Sequence, residues 1–257
     1  MSTHFYKYHG AGNDFIIIDN RNNIFKKNAY QLIKKLCHRQ FGIGADGLML
    51  LEKDKLLDFK MIYYNSNGLE GTMCGNGGRC IVAFAKSLNL ISDLTNFNAS
   101  DGPHQAKVDG EIIFLKMSDV TEIKELEDGY FVNTGSPHFV IKTEFPHKLD
   151  INNKGREIRY QKRFMPDGAN INFISEKNNI IEIATYERGV ETETLSCGTG
   201  SVASAVATTF NNDDGHYVYK INAKGGKLQV SFNKENNVFT NIWLSGPAVK
   251  VFEGNLL

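Results

Sequence analysis

Two cysteines in this 257-residue chain open the same short phrase, Cys74-Gly75-Asn76-Gly77 and Cys197-Gly198-Thr199-Gly200. An Ala- and Val-rich run follows each, so each thiol is expected at or just before a helix N-terminus. First-turn N–H groups lack an intrahelical partner, and that end of a helix carries partial positive charge. A carboxylate can rest on such N–H groups, and a thiolate beside them is stabilised, which lowers the thiol pKa. The glycines are expected to admit positive φ and close approach of backbone to a ligand. Two such sites facing one cleft suit a two-base inversion at a carbon α to a carboxylate. One thiolate removes the proton from one face, and the opposite thiol delivers a proton to the other. Fixed dipoles aimed at the developing enediolate would stabilise the carbanion, more strongly once water is expelled. Such a thiol–thiolate pair titrates as a coupled unit.

The elements that must position these thiols read as a mixture of α and β. Strands are expected at Phe15–Asp19, Leu48–Leu51, Phe59–Tyr64, Ile112–Leu115, Phe139–Lys142, Ile180–Tyr186, Leu228–Phe232 and Phe239–Leu244. Helices are expected at Ala29–Arg39, Cys80–Leu88 and Ser201–Phe210. Strands outnumber helices, which points to α+β rather than a regular βαβ array. An internal repeat organises them. Tyr63 and Tyr186 each lie 11 residues before their cysteine, and Glu70 and Glu193 each lie four before. Asn13 to Ile17 matches Pro137 to Ile141, and Phe15 to Cys74 spans 59 residues against 58 from Phe139 to Cys197. The expected architecture is therefore two pseudo-symmetric domains, each a curved mixed sheet around a central helix, with the active site in the cleft between them. The division is placed at residues 1–118 and 119–257, with the last strand able to return to the N-terminal half.

Composition narrows the function. Lys+Arg 29 against Asp+Glu 29 leaves no basic surplus, and no basic stripe is visible, so nucleic acid is excluded as a partner. No apolar run reaches the 18–20 residues or so that span a bilayer, and the N-terminal residues lack the apolar core of a signal peptide. A cytoplasmic protein with no membrane partner is expected. Cys37 and Cys80 fall on apolar helical faces and read as core, and no Cys/His spacing suggests a metal. Gly42-Ile43-Gly44-Ala45-Asp46-Gly47 matches G-x-G-x-x-G formally. It follows a helix and precedes a strand, the reverse of a dinucleotide site, so a nicotinamide cofactor is rejected.

The chain resembles the diaminopimelate epimerases, pyridoxal-independent amino-acid isomerases, nearly end to end. The likeness is carried by Lys7-Tyr8-His9-Gly10-Ala11-Gly12-Asn13-Asp14-Phe15, by Gly42 to Gly47 and by Tyr64-Asn65-Ser66-Asn67-Gly68. It is most specific at Met73 to Cys80 and at Tyr186-Glu187-Arg188-Gly189 through Glu193 to Gly200. The resemblance implies interconversion of LL- and meso-2,6-diaminopimelate, serving lysine and peptidoglycan precursor synthesis, without a cofactor and in a homodimer. It makes Cys74 and Cys197 the acid/base thiols and gives the reacting carboxylate to the N–H groups of Gly75, Asn76, Gly198 and Thr199. It assigns the far end of the substrate to Asn13, Asn65, Asn170 and Arg188, with Glu187 near the amino groups. His138 and Glu187 would tune the thiols. A second carboxylate suits an Arg fork and amide donors. Glu187 and Arg188 are adjacent, so in a continuing strand they would point to opposite faces.

The chain departs from the family pattern at Ser136, where an Asn is usual, and at Lys224, where a Pro is usual. Two rival readings are a proline or hydroxyproline racemase and a non-catalytic module that holds a dicarboxylate on two Gly-rich nests. Asn76 separates the first, since those racemases typically carry His there. Exchange of the substrate α-hydrogen separates the second.

Overall fold

The computed structural model describes residues 3–256 and divides into two compact units, residues 1–115 with 246–257, and residues 116–245. In the first unit, β1 (His4–Gly10) pairs antiparallel with β2 (Asn13–Asp19), and β2 runs parallel to β3 (Gly47–Glu52). β3 is antiparallel to β4 (Phe59–Asn65), which also carries the two-residue β5 (Glu70–Gly71). β4 runs parallel to β6 (Leu94–Ala99), from which β7 (Gly102–Asp109) and β8 (Ile112–Lys116) continue antiparallel. The C-terminal strand Val249–Asn255 lies antiparallel to β1 on its other side. Helix α1 (Tyr30–Cys37) joins β2 to β3, and α2 (Gly75–Ser87) joins β5 to β6.

The second unit repeats this sequence of pairings. β9 (Ile123–Leu126), β10 (Gly129–Asn133) and β11 (Pro137–Lys142) are successively antiparallel, and β11 is parallel to β12 (Asn170–Lys177). β13 (Ile180–Glu187) pairs antiparallel with β12 and with the short β14 (Thr192–Thr194). β13 then runs parallel to β15 (Gly215–Ala223), and β16 (Gly226–Glu235) and β17 (Val238–Pro247) follow antiparallel. Helices α3 (Ile151–Arg159) and α4 (Gly198–Thr209) occupy the places of α1 and α2. The fold class is α+β.

Helices cover both faces of each sheet, which explains the unbroken apolar runs of the inner strands. In the first unit Ile33, Leu36 and Cys37 of α1 pack with Ile16, Ile18, Leu48, Leu50, Ile62 and Tyr64. The alternate residues of those strands face the other way, where α2 packs on β1, β2, β3 and β7. The second unit does the same, with Phe139, Ile171, Phe173, Ala184 and Tyr186 clustering with Ile151 of α3. α4 packs on the opposite face, against β10 to β13 and β16. Each fully buried Ile or Phe contributes about 1.5–3 kcal/mol relative to exposure. Cys37 and Cys80 are core residues, and burial pushes the Cys37 thiol up to about 11 and the Cys80 thiol higher.

Two expectations change. α2 and α4 begin at Gly75 and Gly198, five and three residues before the expected helix starts. Glycine is a poor helix former, so propensity placed these residues in a loop. Their φ values are not positive, so the glycines serve close packing instead. A Cβ on Gly77 would lie 3.1 Å from Cys74 Sγ, and one on Gly78 would lie 3.0 Å from Met73 Sδ and from Leu115 Cδ2. A Cβ on Gly200 would collide with Asn172 Nδ2.

Candidate active site

Cys74 is the N-cap of α2, with extended backbone (φ −109°, ψ 149°), and its Sγ accepts the Gly77 N–H at 3.2 Å. Gly75 and Asn76 form the first helical turn and are buried. The turn between β1 and β2 brings Asn13 alongside, with Asn13 Oδ1 4.0 Å from Cys74 Sγ and 3.5 Å from Asn76 Nδ2. The orientations of these amides are fixed at both ends. Arg79 Nη2 donates to Asn76 Oδ1 at 2.9 Å, and Asn13 Nδ2 donates to Asp46 Oδ2 at 2.6 Å. A guanidinium can only donate and a carboxylate can only accept. Every bond therefore runs one way, Arg79 to Asn76 to Asn13 to Asp46, and Asn13 shows the sulfur its carbonyl oxygen.

Asp46 is held in turn by Arg39 at 2.7 Å, and Arg39 also reaches Asp14 at 2.9 Å. Asp14 pairs with the buried Lys7 at 2.6 Å, and Lys7 Nζ also donates to Gly44 O. Burial pushes the Asp14 carboxyl up, but hydrogen bonds and charge from Arg39 and Lys7 outweigh it and bring it down to about 2. The Gly42–Gly47 loop thus lies between α1 and β3 and braces Asn13, in the order that excluded a dinucleotide site. Asn65, at the end of β4, is exposed, and its Nδ2 reaches Leu69 O at 3.5 Å. None of the hydrogen bonds around Cys74 described above includes Asn65.

Cys197 is the N-cap of α4 (φ −122°, ψ 117°), with Gly198 and Thr199 in the first turn. Its Sγ lies 3.5 Å from Thr199 Oγ1, which lies 2.9 Å from His138 Nε2. On its other side His138 Nδ1 donates to Asn172 Oδ1 at 2.9 Å, and Asn172 Nδ2 donates to Thr185 Oγ1 at 3.2 Å. His138 is fully buried, and burial drives its pKa down from 6.5 to about 4, against the opposing effect of the hydrogen bond it donates to Asn172. The ring is therefore neutral at pH 7, Nε2 is an acceptor, and Thr199 directs its O–H to it. That leaves a Thr199 lone pair for a proton on Cys197. Strand alternation places His138, Asn170 and Asn172 on the α4 face, because β11 and β12 pair His138 with Asn170 and Val140 with Asn172.

Asn170 ties three strand ends together. Its Nδ2 donates to Ser136 Oγ and Pro137 O, both at 3.0 Å, and its Oδ1 accepts Arg188 N–H at 2.9 Å. Ser136, the departure from the family pattern, thus acts as an acceptor for Asn170. β13 ends at Glu187, so the opposite-face rule does not bind Arg188. The Arg188 guanidinium donates to Asp167 O at 3.3 Å, and Glu187 is half-buried.

Sequence reasoning passed over Asp46, Arg79, Asn172 and Thr185. A lone Asn inside Ile171-Asn172-Phe173-Ile174, and a lone Arg before Cys80-Ile81-Val82, were the available signals, since a polar side chain within an apolar run needs a partner. Among the described residues no group of three or more His, Cys, Asp or Glu is arranged to hold a metal ion, and no helix is long and apolar enough to cross a membrane.

The duplicated α+β scaffold is a fold shared with solved structures. A Bacillus anthracis phenazine biosynthesis protein of the PhzF family superposes with a TM-score of 0.78 at 14% identity, covering 100% of this chain and 99% of that one. A probable proline racemase from Agrobacterium radiobacter superposes at 0.70 and 12% identity, covering 99% and 93%. Sequence is more specific. The family model for diaminopimelate epimerase matches residues 5–122 and 130–251. The diaminopimelate epimerase of Flavobacterium psychrophilum is 54% identical over 250 residues, 96% of this chain and 98% of that protein. The chain belongs to the diaminopimelate epimerase family.

Proposed function

We propose that the protein is a cofactor-independent epimerase that interconverts LL- and meso-2,6-diaminopimelate by proton transfer between two thiols, for lysine and peptidoglycan precursor synthesis. One observation carries the reading: in two units of the same strand order, a cysteine caps the equivalent Gly-rich helix. Each cap supplies what carbanion chemistry needs, a sulfur that can hold or release a proton and first-turn N–H groups for a carboxylate. The reading requires Cys74 and Cys197 to flank one stereocentre, with Gly75, Asn76, Gly198 and Thr199 holding the reacting carboxylate. Arg188, Asn65 and Asn170 serve the distal carboxylate, and Glu187 serves an ammonium. Asn13, which offers a carbonyl oxygen, suits a proton-bearing group. His138 acts on Cys197 through Thr199. The enzyme works in the cytoplasm as a homodimer.

The test is α-hydrogen exchange in deuterated water with diaminopimelate, proline and hydroxyproline offered side by side. Deuterium at the α-carbon of diaminopimelate, and not of the ring substrates, is the expected result. Tight binding of diaminopimelate without exchange would assign a dicarboxylate-binding module. Exchange confined to the ring amino acids would assign a racemase.

A further inference from the structure

Arg79 is fully buried five residues into the site sequence that begins at Cys74. Its Nη1 donates to Gly75 O at 3.2 Å and its Nη2 to Asn76 Oδ1 at 2.9 Å, while Nε has no hydrogen-bond partner among the described residues. Both acceptors are neutral. Gly10 closes over the group, since a Cβ there would lie 3.3 Å from Arg79 Nη2 and 3.4 Å from Cys80 Sγ. Burying a guanidinium without an opposite charge costs several kcal/mol. Its place near the N-terminal end of α2, where the helix dipole repels a cation, adds to that cost. Elsewhere in the unit the buried Lys7 has the Asp14 carboxylate at 2.6 Å. Two thiols share this end of the helix with Arg79: Cys80, the next residue, and Cys74, the N-cap. Burial keeps Cys80 protonated, which leaves Cys74.

We propose that Arg79 is a positioning residue for Cys74, supplying the buried counter-charge of its thiolate and locking the Asn76 and Asn13 amides that line the sulfur. The helix cap and the guanidinium then act together, one through the Gly77 N–H and the other through charge. The equivalent residue after Cys197 is Val202, buried and apolar, so the device serves one thiol of the pair. Most of the other charged and titratable groups on the elements packed against α2 have partners of their own. On β1 and β2 Lys7 and Asp14 pair together and Tyr8 is hydrogen-bonded to Ser87, while His9 Nδ1 is buried with no hydrogen-bond partner among the described residues. On β7 His104 faces Asp101, and Lys107 and Asp109 alternate with the buried Ala106 and Val108. β3 carries Glu52, which holds Lys27. On the C-terminal strand Lys250 holds Glu253 at 2.7 Å, and on α2 itself Lys86 holds Asp93 at 2.8 Å.

This inference deepens the proposed function and rests on Cys74 being one of its reacting thiols. It is tested by alkylation without substrate, so a failure of turnover and a failure of this arrangement are separate results. The full-length chain and its Arg79→Met, Arg79→Gln and Arg79→Lys variants are treated with iodoacetamide across pH, and each cysteine is read by peptide mass spectrometry. In R79M and R79Q the alkylation midpoint of Cys74 is expected to rise by about one pH unit or more, while that of Cys197 stays in place. R79K, which keeps the charge, recovers at least about half of that change. A Cys74 midpoint in folded R79M or R79Q within about 0.3 unit of the unmodified chain overturns the proposal. Should both neutral variants fail to fold, the reciprocal measurement decides. Cys74→Ser leaves the cation uncompensated, so its melting temperature falls increasingly below that of the unmodified chain from about pH 6 to about pH 9. Cys197→Ser runs parallel to the unmodified chain, and parallel curves for both serine variants overturn the proposal.

Discussion

The two cysteine-bearing helix ends share a strand order and differ in what surrounds the sulfur. Around Cys74 the network is charged and directional, from a buried guanidinium through two amides to a carboxylate that Arg39 holds. Around Cys197 it is neutral, from a hydroxyl through an imidazole to an amide and a second hydroxyl. Duplication has kept the backbone that aims N–H groups at a ligand, while the side chains behind each sulfur have diverged. A two-base reaction rests with one protonated and one ionised sulfur and exchanges those states at each turnover, so the pair titrates as a unit. A buried guanidinium stands behind one sulfur, and a neutral relay of hydroxyl and imidazole stands behind the other.

The comparison can be broken most severely at the sulfurs themselves. Cys74→Ala and Cys197→Ala should each lower turnover of diaminopimelate by about a thousandfold or more, since each removes an acid/base group that nothing else replaces. Full turnover by either variant would end the two-base account.

Next in size is a stability effect confined to the neutral side. In the unfolded chain a histidine takes up its proton near pH 6.5, whereas buried His138 resists until about pH 4. The unfolded state therefore binds more protons in that window, so stability is complete above about pH 6.5 and is lost as pH falls toward 4. The loss amounts to about 3 kcal/mol. Urea denaturation at several pH values should show this slope in the unmodified chain and a shallower one in His138→Asn, where the depressed carboxylates such as Asp14 still contribute at the acid end. Equal slopes would show that the imidazole is not held neutral.

The smallest effect is expected on the charged side. Asp46→Ala frees the Asn13 amide, so the substrate KM should rise about fivefold with little change in kcat. Because Asp46 and Arg39 are 41% and 57% exposed, their pair contributes no more than about 1 kcal/mol to stability. An unchanged KM would show that Asn13 needs no support from the loop.

The strands with apolar runs, and both cysteine-bearing segments, were legible because burial on two faces leaves a continuous hydrophobic signature. Other elements were not. β12 carries Asn170 and Asn172 on the buried face, which destroys the pattern that marks a strand. α3 has Ile151 and Gly155 as its buried residues, and Gly155 packs directly on the Tyr186 side chain. That helix is started by Asp150, whose side chain accepts the Asn153 N–H at 3.2 Å. The repeat located the thiols and His138, since both periodicity and local chemistry survive duplication. It could not locate Arg79 and Asn172, whose partners come from turns and neighbouring strands rather than from positions along the repeat.

The pairing of β1 with Val249–Asn255 also bears on how the molecule is made. Residues 116–245 have left the ribosome before the partner of β1 is synthesised. Through most of translation β1 offers a bare edge, a ready template for wrong pairing. Damage to Val249–Asn255 should accordingly register in the unit that carries the first cysteine.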